Sequence, residues 1–97
     1  MPAYITLYKW TQQGIATVKD APERIKQVKA MVETMGGRAI GVWVTMGEYD
    51  LVAISEGPDD QTAATMALAV ARAGNVTSQT LKAFSEDEFA QIVSKLP

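Results

Sequence analysis

Alternation of apolar and polar positions marks four extended segments in this chain. Residue types typical of β-sheet dominate them, as in "AYITLYKW" near the start. We predict strands at residues 3–10, 38–47, 48–57 and 75–84. Because only Gly47 and Glu48 separate the apolar parts of the second and third strands, we expect a tight antiparallel hairpin there.

Apolar residues at helical spacing mark the first long helix between these strands. Its start is signalled by Asp20 as a capping residue and by Pro22 in the first turn, and Gly36-Gly37 ends it. The stripe that faces the core consists of Ile25, Val28, Val32 and Met35. A single helical turn begun at Thr11 is also expected ahead of this helix.

Two further helices follow. Asp59 is the predicted N-cap of the second, and residues 61–71 carry no charge and are rich in Ala. A helix that is apolar nearly all round is expected to be buried. The last helix opens with a capping box at Ser85 and Glu88, flanked by Phe84 and Phe89 as a hydrophobic staple.

The element order is therefore β-α-β-β-α-β with an extra C-terminal helix. This order is the ferredoxin-like α+β pattern, a four-stranded antiparallel sheet with two helices on one face. A chain of 97 residues accommodates one such domain, which we assign to residues 1–97.

Helices can cover only one face of this sheet. We expect the aliphatic sets of the strands to face the helices, namely Ile5, Leu7, Ile40, Val42 and Val44. The uncovered face would then carry Tyr4, Thr6, Tyr8, Trp10, Trp43 and Thr45. So many exposed aromatics exceed what a monomer usually shows, so this face should pair with something.

Charge decides between two kinds of partner for that face. Single-stranded nucleic acid binds the aromatic face of some ferredoxin-like domains, but basic residues must surround it. Here only Lys9 and Lys82 lie on predicted strands near the aromatics, and the net charge is 9 − 11 = −2. We therefore predict no nucleic acid and a second copy of the chain, as a homodimer or a higher ring, with a small-molecule pocket between sheet and partner.

Two residue types that are common in catalytic and metal sites are missing from the chain. The chain has no Cys and no His, the usual general base and the commonest transition-metal ligands. We expect no metal and no cofactor. No stretch reaches the roughly 18 apolar residues of a membrane span, and the N-terminus lacks signal-peptide features. We expect a cytoplasmic protein that makes no membrane contact.

Several motifs together resemble the GYD-domain family, a widespread microbial group. They are "MPAYITLYKWTQQG", "MGGRAIGVW", "TMGEYDLVAISEGPDD" and "GNVTSQTLKAFSEDEF", and the signature itself is spread over Gly47-Glu48-Tyr49-Asp50. The resemblance implies a ferredoxin-like unit that assembles as a dimeric α+β barrel. The hairpin alone is also similar to the effector-binding domain of leucine-responsive-type regulators, where a turn between subunits holds a small amino acid.

Asp50 is the residue most in need of explanation. As a structural group it would accept backbone N–H groups and fix the turn. As a functional group its carboxylate would point into the barrel. The candidate ligand-binding residues are Tyr8, Trp10, Trp43, Thr45, Gly47 and Asp50, and the candidate acid–base groups are Asp50, Tyr8 and Tyr49.

Three functions fit these residues. The first is a non-enzymatic small-ligand-binding or assembly protein that forms a dimeric barrel. The second is a cofactor-independent barrel enzyme acting on a small aromatic or quinone-like substrate, which the absence of His makes the weaker hypothesis. The third is an interaction protein that assembles through the Ala-rich helix at residues 59–73.

Overall fold

A computed structural model describes all residues from 1 to 97 and contains four strands and four α-helices. In chain order these are β1 (Ala3–Trp10), α1 (Gln12–Ala16), α2 (Ala21–Thr34), β2 (Arg38–Val44), β3 (Leu51–Glu56), α3 (Asp60–Ala71), β4 (Val76–Ala83) and α4 (Glu86–Ser94). A turn of 3-10 helix at Val18–Asp20 joins α1 to α2. The sheet is antiparallel throughout, in the order β2-β3-β1-β4. The predicted ferredoxin-like α+β fold with a C-terminal helix is confirmed.

Local capping explains where three of the helices begin. Thr11 accepts the Gly14 backbone N–H at the start of α1, and Asp59 accepts that of Thr62 at the start of α3. Ser85 and Glu88 form the reciprocal capping box of α4. These three predictions are confirmed. Asp20 occupies the N-cap position of α2, but its side chain makes no capping hydrogen bond.

The predicted tight hairpin between β2 and β3 is wrong. The strands end at Val44 and begin again at Leu51, so residues 45–50 form a longer connection, the 45–50 loop. Two hydrogen bonds also fasten the end of this loop to β1. The backbone N–H of Asp50 donates to the Tyr8 carbonyl, and the Asp50 carboxylate accepts the Trp10 N–H.

The predicted assignment of the two sheet faces is also wrong for β1. Tyr4 is only 4% exposed and Thr6 is buried. The Tyr4 hydroxyl donates to the Asp60 carboxylate at the start of α3, at 2.6 Å. The alternating set Tyr4, Thr6, Tyr8 and Trp10 therefore faces the helices, and Ile5 and Leu7 lie on the uncovered side.

A β-bulge explains why β2 does not follow simple alternation either. Ala39 pairs with Ser55 and Gly41 with Ile54, so Ile40 is an extra residue in the ladder. Ile40 is 49% exposed, against the expectation that it faces the helices. Val44 pairs with Leu51 and so lies on the expected helix side, although it is 68% exposed at the end of the edge strand. Val42, which follows the bulge, does lie on the helix side.

The core is small and lies between the sheet and helices α2 and α3. Its buried hydrophobic members are Tyr4, Ala21, Val32, Leu51 and Met66. Helix α3 buries only Met66, and Leu68 is 71% exposed, so the expectation of a buried α3 is wrong. Met66 and Val70 of α3 are directed toward the sheet, and the other α3 side chains directed that way are short Ala side chains.

Helix α4 lies outside this core, and each of its residues is exposed. The radius of gyration is 14.7 Å, whereas a compact domain of this length has about 12.5 Å. The longest dimension of the chain is 51 Å. A helix that extends from the body without covering the sheet accounts for this elongation.

Candidate functional site

The side of the sheet that no helix covers is apolar, and we call it the open face. Strand register places its members opposite one another, for example Ile5 beside Ile54 and Leu7 beside Val52. The large side chains of the open face are Ile5, Leu7, Trp43, Val52, Ile54 and Leu81. Trp43 is 51% exposed and Leu81 is 40% exposed. A contiguous apolar surface of this kind marks an interaction site.

Trp43 lies flat on this surface. A Cβ atom added at Gly41 would come within 2.6 Å of the Trp43 ring, so the indole occupies the space above Gly41. Only the absence of a side chain at position 41 permits this placement. Trp43 is therefore an exposed aromatic held against the sheet, a typical anchor of protein and ligand interfaces.

The 45–50 loop closes one end of the open face. The Tyr49 hydroxyl donates weakly to the Gln79 side chain on β4, at 3.4 Å, and the Lys9 ammonium lies 5.2 Å from the centre of the Tyr49 ring. Lys9 also pairs with Glu48 at 3.7 Å. The loop thus crosses the end of β1 and reaches β4, so its residues rim the open face.

Within that loop, Thr45 and Gly47 have conformational roles. The Thr45 hydroxyl donates to the Tyr49 carbonyl at 2.6 Å, and the Thr45 N–H donates to the Asp50 carbonyl. Gly47 has φ of +120°, which L side chains rarely adopt, and open space surrounds it. Their assignment as ligand-binding residues stays a prediction.

Asp50 uses its carboxylate to bind the backbone. Its Oδ2 accepts the N–H of Trp10 at 2.8 Å, at the point where β1 ends. This contact agrees with the structural interpretation of Asp50. It leaves the second carboxylate oxygen for other contacts, and a functional role for it stays a prediction.

Tyr8 and Trp10 lie on the opposite side of the sheet from Trp43. They line a cavity of about 300 Å³ between the sheet and helices α2 and α3, which we call the helix-side cavity. Burial raises the pKa of the Tyr8 hydroxyl, and a hydrogen bond with Thr6 partly offsets this shift. The predicted pocket containing both Tyr8 and Trp43 is therefore wrong.

The three acid–base candidates do not converge. Tyr8 points to the helix-side cavity, Tyr49 reaches Gln79 on the open face, and Asp50 binds the Trp10 amide between them. A shared substrate atom would have to lie within hydrogen-bond reach of at least two of these groups. In this chain no side-chain hydrogen bond joins any two of the three groups.

A further polar cluster escaped the sequence reasoning. The Asp60 carboxylate accepts the Tyr4 hydroxyl at 2.6 Å and pairs with the Lys82 ammonium at 3.1 Å. The hydrogen bond to Asp60 is the main cause that raises the pKa of Tyr4 to about 12. The same bond, followed by the Lys82 contact, lowers the pKa of Asp60. The acidic residues at the start of α3 indicate a partner there. Tyr4 was not considered as that partner because alternation had placed it on the opposite face of the sheet.

Helix α4 carries a second uncovered apolar surface. Its stripe consists of Phe89, Ile92 and Val93, and Leu96 just beyond the helix continues it; these residues are 61%, 45%, 43% and 68% exposed. Phe84, the expected staple partner of Phe89, is 56% exposed. None of the helices is both long and apolar enough to span a lipid bilayer.

Comparison with known proteins places these features in a family. A protein of Thermus thermophilus named "Glutamine synthetase and cystathionine beta-lyase binding protein" is 37% identical over 84 residues, which cover 86% of this chain and 88% of that protein. The crystal structure of FFRP-DM1 superimposes with a TM-score of 0.62 at 19% identity, over 87% of this chain and 100% of that one. At that identity the likeness shows the fold alone. The GYD-domain family profile matches residues 4–93, and the chain therefore belongs to the GYD-domain family.

Proposed function

We propose that this protein is a non-catalytic assembly protein that acts as a homodimer. The observation that carries the proposal is the open face, where six large apolar side chains share one uncovered side of the sheet. Burial of such side chains contributes about 25 cal/mol per Å² of apolar surface removed from water, which favours pairing of two open faces. A homodimer pairs identical patches about a two-fold axis.

We retain the predicted small-molecule pocket in this proposal, but with different lining residues. It would form between the two sheets, with Trp43 as the aromatic wall and the 45–50 loop at the rim. Tyr8 and Trp10 are not part of it because they lie on the helix side. Thr77 and Gln79, exposed on β4, supply polar groups next to the apolar wall.

The name of the Thermus thermophilus relative supports a second part of the proposal, that the dimer binds enzymes. That protein is named for binding to glutamine synthetase and cystathionine β-lyase. We propose enzymes of amino-acid metabolism as the partner class here as well. Since the open face is used for self-association, the enzyme would contact the outer surfaces of the dimer.

Light scattering coupled to size exclusion tests the homodimer. The wild type is expected to elute as a dimer, and Val52→Lys, at the centre of the open face, is expected to weaken dimerisation roughly tenfold or more. Leu68→Lys is the matched control, because Leu68 is an exposed aliphatic residue on α3. A monomeric wild type would refute the proposal, and a monomeric Leu68→Lys beside a dimeric Val52→Lys would indicate assembly through α3 instead.

The enzyme-binding part has its own experiment. Purified glutamine synthetase and cystathionine β-lyase from the source organism are passed over immobilised dimer, with an unrelated dehydrogenase as the control. Saturable binding of either enzyme supports the proposal. Failure of both, with the dimer intact, would overturn this part and leave the homodimer proposal standing.

A further inference from the structure

The helix-side cavity results from short side chains on several of its walls. It is lined by Ala21 on α2, Ala53 on β3, Ala69 on α3 and Ala73 just beyond the end of α3. Larger residues at these positions would fill the space, as protein interiors normally do. The remaining wall is largely apolar, with Tyr8 and Trp10 from β1 and Val28 from α2. At about 300 Å³ its volume is at the lower end of the range for small-molecule sites.

One cation lines this cavity. The Arg24 guanidinium is held by three neutral acceptors, the Thr17 carbonyl at 3.2 Å, the Thr17 hydroxyl at 2.9 Å and the Gly14 carbonyl at 3.3 Å. No carboxylate of the chain lies within 4 Å of it. A guanidinium has five N–H donors, so at least one remains for another acceptor. Arg24 is thus a positioned positive charge that lacks an anion.

We propose that the helix-side cavity binds a small apolar molecule that carries one carboxylate. The apolar body packs between Trp10, Val28 and Val70, and the carboxylate accepts hydrogen bonds from Arg24. The site lies across the sheet from the open face, so it goes beyond the homodimer proposal and does not depend on it. A single anionic group suits a site with a single cation, and the apolar walls disfavour a polyanion.

The two tryptophans provide an internal control for a binding test with 2-naphthoate. Their indole N–H signals in a proton–nitrogen correlation spectrum report the two sides of the sheet separately. Trp10 lines the cavity, whereas Trp43 lies on the open face. Titration with 2-naphthoate is expected to shift the Trp10 signal in a saturable way and to leave that of Trp43 in place. A shift of Trp43 alone would overturn the proposal.

Cavity filling tests the site itself. Ala69→Leu is expected to lower the affinity for 2-naphthoate by roughly tenfold or more. Its proton–nitrogen correlation spectrum should remain that of a folded protein. Ala64→Leu makes the same chemical change at an exposed position of α3 and is expected to bind like the wild type. If Ala69→Leu does not fold, Ala73→Leu repeats the test. Wild-type affinity in a folded filled variant would refute the site.

Arg24→Gln tests the charge. It is expected to weaken 2-naphthoate roughly tenfold while 2-naphthamide, the neutral analogue, binds as it does to the wild type. Equal weakening of the binding of both probes would overturn the role of Arg24.

Phe89→Glu tests a rival occupant, the α4 helix of a second copy. If 2-naphthoate bound this variant and not the wild type, α4 would fill the cavity and the proposal would be wrong.

Discussion

The carboxylate of Asp50 accepts the backbone N–H of Trp10 at 2.8 Å, while the Asp50 N–H donates to the Tyr8 carbonyl at the same distance. These two bonds extend the β1–β3 pairing one step beyond Leu51, the first residue of β3. The Gly-Tyr-Asp signature thus ends in a side chain that fastens the 45–50 loop to the end of β1. The acidic residue directly before the apolar strand β3 therefore ties the start of that strand to the end of β1.

Removing this carboxylate is expected to destabilise the protein. Asp50→Ala leaves the Trp10 N–H without its acceptor, and a hydrogen bond to a charged group contributes about 1.5–3 kcal/mol. We expect a loss of about that size in the free energy of unfolding, measured by urea denaturation. Asp50→Asn should lose less, because an amide oxygen can still accept. Glu48→Ala, in the same loop, removes only an exposed ion pair and should cost less than about 1 kcal/mol. An Asp50→Ala variant as stable as the wild type would refute this role.

The bond between Tyr4 and Asp60 predicts how stability depends on alkaline pH. The folded-state pKa of Tyr4 is about 12, above the usual value near 10. A group whose folded pKa is raised contributes stability that is fully present below its unfolded pKa and is lost as pH rises through the folded one. The melting temperature of the wild type should therefore fall between pH 10 and about 12.

Tyr4→Phe separates this effect from the general effect of alkali. The variant should melt lower than the wild type at pH 8, because the bond is absent, and its decline above pH 10 should be shallower. Part of the decline will remain, since burial also raises the pKa of Tyr8. Tyr49→Phe, on the other side of the sheet, is the control and should keep the wild-type slope. Equal slopes for wild type and Tyr4→Phe would contradict the assignment.

Gly14 should tolerate no side chain. A Cβ atom there would lie 1.9 Å from the Asn75 carbonyl oxygen, which is backbone and cannot move aside freely. Thr11 ties the same segments together, because its hydroxyl donates to the Gly74 carbonyl and accepts the Gly14 N–H. Overpacking of this kind costs about 1–3 kcal/mol or more. Gly14→Ala should lower the free energy of unfolding by that amount, whereas Gln12→Ala, exposed in the same helix, should change it by less than about 0.5 kcal/mol.

Sequence patterns predicted the element order because most helices begin at a local capping signal. Thr11, Asp59 and Ser85 are capping residues whose effect depends only on the next three residues. Strand β1 was predicted with its observed bounds, Ala3–Trp10. Local chemistry decided these features, so the sequence contained enough information for them.

The choice of sheet face could not be read from alternation, because both faces of this sheet are apolar. Tyr4 and Tyr8 alternate with Ile5 and Leu7, and neither set is polar enough to be assigned to solvent. Large side chains from β1 lie opposite the short Ala side chains of α3 on the helix side. The acceptor for the Tyr4 hydroxyl, Asp60, lies 56 residues away. The face on which Tyr8 and Trp10 lie is set by such long-range contacts, so the prediction that they share a pocket with Trp43 was wrong.

Helix α4 has nine residues, and an isolated helix shorter than about 12 residues is marginal in water. Its apolar stripe has no cover within the chain, so we expect the second copy of the homodimer to supply it. Hydrogen exchange measured by mass spectrometry checks this. The amides of Glu86–Ser94 should be protected in the wild-type dimer and exchange freely in the Val52→Lys monomer. Ile92→Glu should remove the protection and weaken the dimer, whereas Gln91→Glu, on the same helix, should leave both unchanged. Fast exchange of α4 in the wild-type dimer would show that the second copy does not cover it, and the apolar stripe would then be free to contact an enzyme partner.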